Sequence, residues 1–264
     1  MDKTQEKCNL IILSRVDSTN TYAKNNFYTL DDGCVVSALE QYAGRGRLGR
    51  KWFSEAGKAI CATAVLKNVD QPFHAGIIVG LAGLELIREC LPEEFVFLKW
   101  PNDIYVNECK IAGILSEGVM EKGTLAGVVS GIGLNVNQSN SELAEVMSPA
   151  TSLAICAGKE FFLEKLRQEL AEKIKKYYIM YRSNSGDILR SWREENRLIG
   201  ENLVLISPDG QERQGCFIDI GEDGGMILES PGGEIFHFDC GDVKIDVSLI
   251  NFNLLSDKYK QKKI

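Results

Sequence analysis

This chain is short of the residues that most catalytic and metal sites are built from. It has two histidines, His74 and His237, in 264 residues. His74 stands beside an expected helix start and His237 in a late strand, and both read as structural. No GxSxG nucleophile elbow occurs, so a serine-hydrolase arrangement has no anchor. Eight cysteines are present, at 8, 34, 61, 90, 109, 156, 216 and 240, but no CxxC pair. Zinc sites need clustered ligands, so these read as reduced thiols, most of them in apolar runs. No secretory signal is visible, and a cytoplasmic protein is expected. The longest apolar run, Ala75–Leu84, is broken by Glu85 and is too short for a bilayer. Positive charge is also short overall. The net charge of −7 argues against a nucleic-acid surface. No internal repeat appears.

Against that acidic background, Gly44–Trp52, GRGRLGRKW, places Arg45, Arg47, Arg50 and Lys51 on a backbone interrupted by Gly44, Gly46 and Gly49. Glycine lets backbone N–H groups approach an anion, and arginine supplies a permanent charge with a fork that fits carboxylates and phosphates. The three glycines also spell GxGxxG. That fingerprint needs a helix after it to carry a pyrophosphate. KWFSEAGKAICATAVLK, with Ser54 and Gly57 as breakers before a β-rich run, does not read as a helix. A solvated basic loop is the plain alternative.

The pattern predicts a strand over 9–16, then a helix capped by Asp17 or Ser18. Strands over 34–41 and 59–66 flank the cationic loop. A long helix is expected from Phe73 to Cys90, followed by three β segments: EFVFLKW, KIAGILSEGV and TLAGVVSGIGLNVN. Their mixed apolar patterning suits a central sheet covered on one face. From Phe161 the pattern turns helical, FFLEKLRQELAEKIKKYYIMYR (161–182), with apolar Phe162, Leu166, Leu170, Ile174 and Tyr178 recurring every four positions, and another helix is expected over 188–197. Beyond Gly200 the texture changes to short strands punctuated by Pro208-Asp209-Gly210, Asp223-Gly224-Gly225 and Pro231-Gly232-Gly233, a small β-barrel pattern. The tail SDKYKQKKI is expected to fray.

Four segments carry the polar chemistry: Ser18-Thr19-Asn20 at a helix start, Gln41 with its loop, Lys99-Trp100-Pro101-Asn102-Asp103, and Lys110 opening the apolar strand KIAGIL. Helix capping and a common Pro-Asn-Asp turn are the ordinary readings of the first and third. Together with GIGLNV (131–136), their order and spacing resemble the biotin–protein ligases over nearly the whole chain. GCFIDIGEDGGMIL (215–228) resembles that family's small C-terminal module. The resemblance is to the monofunctional type, without the N-terminal DNA-binding domain of the repressor ligases.

The resemblance implies an α+β fold. Residues 1–199 would form a catalytic domain, a mixed central sheet with helices on one face. Residues 200–264 would form an SH3-like β-barrel. It implies ATP-dependent activation of biotin to biotinyl-5′-AMP, with Mg²⁺, then transfer to a lysine of a biotin carboxyl carrier protein, as in acetyl-CoA carboxylase or another biotin-dependent carboxylase. Ser18, Thr19, Asn20, Gln41, Arg45, Gly46, Arg47 and Lys110 would bind biotin. Arg45, Arg47, Arg50, Trp52, Asn102, Lys110 and Asn135 would bind the nucleotide. Arg47, Lys110 and Asp103 would be catalytic, with Asp103 either orienting Lys110 or helping to hold Mg²⁺. No DNA or membrane partner is implied; a homodimer through the sheet is allowed. The rivals are a lipoate–protein ligase, whose RRxSGG signature is missing, and a non-catalytic biotin-responsive regulator.

Overall fold

Parallel strands need a crossover, and here a very short helix supplies it. In the computed structural model, which describes residues 9–52, 54–144, 149–206, 210–239, 244–245 and 250–261, β1 (Leu10–Val16) runs parallel to β2 (Val35–Gln41) through α1 (Thr19–Asn25). Strand β3 (Ala59–Leu66) follows the cationic loop, then helix α2 (Pro72–Cys90). Pro72 sits in the first turn of α2, where its missing N–H costs nothing, and Pro92 lies just past its end. Strands β4 (Val96–Lys99), β5 (Asp103–Val106), β6 (Cys109–Glu121) and β7 (Thr124–Asn135) complete a mixed sheet of order β1-β2-β3-β7-β6-β5-β4. The sequence pattern shows no separate strand at β5; the Pro101-Asn102 turn and the four-residue length hide it.

Alternation along the strands divides the sheet into two faces. Ile60, Ala62, Ala64 and Leu66 of β3, with Ile132 and Leu134 of β7, pack in one core with α2 and α5 (Leu163–Ser183). Each buried isoleucine or leucine of that set contributes on the order of 2 kcal/mol. The amphipathic α6 (Ser185–Glu195) joins this side, burying Ile188 and Trp192. The long helices therefore share one face, as the mixed-sheet expectation required. Helix α1 lies on the other, where Ala23 and Phe27 meet Val36, Val65 and Val129. Short helices α3 (Asn140–Leu143) and α4 (Leu153–Ala157) follow β7.

Strands β8 (Asn202–Ile206), β9 (Glu212–Ile220), β10 (Met226–Glu229), β11 (Ile235–Phe238) and β12 (Lys244–Ile245) form an antiparallel sheet of order β11-β10-β9-β8-β12, consistent with the SH3-like module. Turns occur at Asp223–Gly225 and Pro231–Gly233, with positive φ at Gly224 and Gly233. Pro208 and Asp209 of the third expected turn lie outside the described residues. Leu203, Leu205, Phe217, Met226 and Leu228 belong to the same buried cluster as the central sheet. The tail corrects its expectation: α7 (Phe252–Gln261) is helical, and Phe252 meets Phe97 at 6.1 Å between ring centroids. Residues 262–264 lie outside the described residues. Among the described residues, no helix is long and apolar enough to cross a membrane.

Candidate active site

The α1 side of the sheet has a glycine floor. Ladder register sets Thr63 and Cys61 of β3 beside Gly131 and Gly133 of β7, which in turn face Leu115 and Gly113 of β6. Asp103 of β5 pairs with Gly113. The glycines are required by what lies on them. A Cβ at Gly133 would fall 2.2 Å from Trp52 Cε2, and one at Gly131 would fall 2.1 Å from Asn20 Oδ1. Trp52 therefore rests flush on the sheet, as no larger residue at 133 would allow.

At one end of this floor lies a polar pocket. The Thr19 N–H donates to Gln41 Oε1 at 2.9 Å, and its hydroxyl stands 3.2 Å from the same atom. Asn20 Nδ2 donates to Leu115 O at 2.9 Å and to Glu117 Oε2 at 3.0 Å, while its Oδ1 accepts from the Thr63 hydroxyl at 2.7 Å. Ser18 occupies the N-cap position of α1, but its side chain makes no capping bond. Plain helix capping thus does not account for it. Ser18, Thr19 and Asn20 are all buried. These groups offer donors and acceptors at fixed positions, which a buried polar ligand requires.

The cationic loop lies beside the floor and is folded. The Gly46 N–H donates to Arg50 O at 2.7 Å and the Trp52 N–H to Gly44 O at 2.9 Å, closing a narrow hairpin whose tip is a 3-10 turn at Arg47–Gly49. No helix follows, so the dinucleotide fingerprint has no structural basis here. Arg45 Nη2 reaches Glu117 Oε2 at 3.0 Å, and Arg47 Nη1 donates to Asn102 Oδ1 at 3.3 Å. The loop thus touches both ends of the floor.

The far end holds the charged cluster. The β5–β6 ladder shifts register between Ile104 and Tyr105, so that Tyr105 faces Lys110. Ile111 and Ala112 both enter the core, and Lys110 emerges above the floor. Such a bulge re-aims a side chain. Lys110 Nζ forms an ion pair with Asp103 Oδ1 at 2.6 Å and stands 5.7 Å from the Trp52 ring centroid. Asn102 clamps the turn to β6, donating to Ile114 O at 2.7 Å and accepting the Ile114 N–H at 2.8 Å. Among the described residues, Asp223, His237 and Asp239 form the one cluster of three or more potential metal ligands. They lie in the C-terminal module.

Two further residues belong to this site: Lys99, which the sequence placed in the KWPND segment without a role, and Glu117, which it did not single out. Lys99 is buried, pairs in register with Asp103, and lies over the Tyr105 ring at 5.3 Å. Burial pulls its pKa below the ordinary lysine value; Asp103 opposes that, and Lys110 and Arg50 add to it. A buried lysine in an otherwise apolar strand was the signal available for it. Glu117 holds Asn20 and Arg45 together, and the sequence offered no sign of that long-range role. Arg50 is exposed at the hairpin and Gly46 half-buried. Asn135 lies two residues past Gly133, but its amide donates to Thr151 O at 3.0 Å and accepts from Gln138 Nε2 at 3.2 Å. In this arrangement it braces the segment after β7. Cys61 is buried, and burial pushes its thiol up to about 11, which disfavours the thiolate.

Known proteins resemble this chain in sequence and fold. Residues 12–135 match the model of the biotin/lipoate A/B protein ligase family. The biotin–[acetyl-CoA-carboxylase] ligase of Mycobacterium tuberculosis is 32% identical over 219 residues, 80% of this chain and 79% of that protein. The bifunctional ligase/repressor BirA of Escherichia coli is 30% identical over 225 residues, 84% of this chain and 69% of that protein. Among solved structures, the Aquifex aeolicus biotin protein ligase in complex with biotin and ATP superposes with a TM-score of 0.74 at 27% identity, covering 90% of this chain and 98% of the other. Fold and sequence agree, and the chain belongs to the biotin protein ligase family.

Proposed function

We propose that this chain activates biotin with ATP, forming biotinyl-5′-AMP and pyrophosphate, and then transfers biotin to a lysine of a biotin carboxyl carrier protein. The observation that carries this reading is the glycine floor, with a pocket of hydroxyl and amide groups at one end and a cationic cluster at the other. A ligand with an uncharged polar head and an anionic tail fits that polarity. Names of relatives support the same reading: they are ligases acting on acetyl-CoA-carboxylase, and the structural neighbour was solved with biotin and ATP.

The first step must bring a carboxylate oxygen to the α-phosphorus. Two unit charges at about 4 Å repel by roughly 4 kcal/mol at an effective dielectric near 20. Lys110 and Arg47 flank the junction and offset that repulsion, and Arg45 joins them by leaving Glu117. As the oxygen–phosphorus bond forms, the bond to the bridging oxygen of pyrophosphate breaks. Cations already in place stabilise the charge on the phosphoryl oxygens. The carboxylate is ionised near neutral pH, so no base is needed. In the second step the carrier lysine attacks the carbonyl carbon of the mixed anhydride and AMP leaves.

Ser18, Thr19, Asn20 and Gln41 would face the ureido head, with Asn20 fixed by Glu117. Gly46 keeps the loop backbone narrow over the junction. Trp52 would cover the purine with the face turned from Gly133. Asn102 holds Arg47, Arg50 adds charge, and Asn135 supports the nucleotide side. Asp103 orients Lys110; Mg²⁺ would enter with the ATP phosphates, adding positive charge there, with Asp103 as a nearby carboxylate. We assign residues 1–199 to catalysis and 200–264 to the barrel. The test is labelling of a biotin carboxyl carrier domain, read by avidin blot. Biotin- and ATP-dependent labelling is expected; none at micromolar enzyme would contradict transfer.

A further inference from the structure

We propose that Trp100 is a positioning residue through which the C-terminal barrel sets the Pro101–Asn102–Asp103 turn for nucleotide use. The inference rests on the ligase reading above. Trp100 is 1% exposed, and a buried indole N–H needs an acceptor. It finds one 124 residues away, donating to Gly224 O at 2.9 Å in the turn between β9 and β10.

That carbonyl is placed by a rigid turn. The Gly221 N–H donates to Gly225 O at 2.8 Å, the Gly224 N–H to Gly221 O at 3.0 Å, and the Gly225 N–H to Asp223 Oδ1 at 3.0 Å. Gly224 has φ of +84°, and a Cβ there would fall 2.3 Å from Phe73 Cγ. Both facts reserve the position for glycine. Gln71 Nε2 holds the neighbouring Glu222 O at 2.6 Å. The start of α2 and the end of β4 therefore grip one barrel turn from two sides.

The residues immediately after Trp100 build the charged end of the site. Asn102 accepts from Arg47, and Asp103 pairs with Lys110. The polar pocket hangs instead on α1, β2, β3 and β6 through Thr19, Gln41, Thr63 and Asn20. A displaced Trp100 would thus move the nucleotide end and leave the biotin end in place. The barrel acts on ATP through one indole bond and without touching it.

Steady-state pyrophosphate exchange and calorimetry on the full chain test this with Trp100→Phe, which keeps an aromatic ring and removes the donor. The expected result is a KM and Kd for ATP about five- to tenfold higher, the scale of one buried hydrogen bond. Biotin Kd should stay within about twofold. Gly224→Ala, which dislodges the turn, should give the same ATP-selective change, and the double variant should be no worse than either single. Unchanged ATP constants, equal losses for ATP and biotin, or additive effects would each overturn the proposal. A purely structural role would lower the unfolding midpoint and leave the constants of the folded fraction unmoved. Wild-type exchange reports on the ligase reading alone. Were it absent, ATP calorimetry on the variants would still decide the coupling.

Discussion

Lys110 Nζ and Asp103 Oδ1 stand 2.6 Å apart across the β5–β6 ladder, beside the glycine floor. The pair fixes a flexible four-carbon chain in one direction, next to the Trp52 ring. Lys110→Ala should lower biotin-dependent pyrophosphate exchange by about 10²-fold or more, as expected for loss of a group aimed at developing charge. Asp103→Asn should cost less, because the lysine remains but loses its anchor. Near-normal exchange by a folded Lys110→Ala protein would reject the role.

Lys99 sits in the same cluster at a cost to folding. A buried ammonium loses hydration, and Asp103 compensates it only in part while also serving Lys110. Lys99→Met should therefore leave the unfolding midpoint unchanged or raise it, yet slow exchange by about tenfold or more. Differential scanning calorimetry and exchange on the same preparation check both parts. A destabilised variant with full activity would show that the lysine serves the fold alone.

The hairpin over the floor is tied by Arg45 to Glu117, with side chains 47% and 20% exposed, so that pair is weak. Trypsin should cut the exposed tip, after Arg47 or Arg50, in the ligand-free protein. Biotin plus ATP should suppress those cuts as the arginines engage anions. Glu117→Gln should speed ligand-free cleavage by about two- to fivefold. Equal cleavage rates with and without ligands would sink the closing-loop idea.

His74 gives a pH signature. Its Nδ1 is 3.2 Å from the Tyr181 hydroxyl and its Nε2 is 3.0 Å from Gln71 Nε2, a donor, so the neutral imidazole fits. Burial lowers its pKa below 6.5, against the opposing charge of Asp70. The unfolded chain takes up the proton first, so this contribution is complete above about 6.5 and declines as pH falls toward the lower native value. Melting temperature should rise with pH across that window, and less steeply in His74→Gln. Identical slopes for the two proteins would contradict the assignment.

Much of this was legible in the residues, for identifiable reasons. Long periodic runs gave α2 and α5 nearly to the residue, and β3 with both ends correct. The motif residues pointed to one site, and the structure gathers Thr19, Asn20, Gln41, Trp52, Asp103 and Lys110 around one floor. Features set by distance along the chain were hidden. No local pattern tells that Glu117 reaches back to Arg45, or that Trp100 bonds a turn 124 residues on. Nor does spacing reveal that a bulge turns Lys110 outward. The placement of α1 on the floor side and the docking of α7 depend on packing that their short, polar sequences do not announce.

The central claim, that the floor joins biotin's carboxylate to the α-phosphate of ATP, meets its most direct test in ATP–pyrophosphate exchange with biotin, then lipoate, as the variable substrate. The account predicts incorporation of labelled pyrophosphate into ATP that requires biotin, saturates with it, and falls by about 10²-fold in Lys110→Ala. Exchange supported by lipoate as well as by biotin, or no biotin-dependent exchange in the folded wild-type protein, would contradict it.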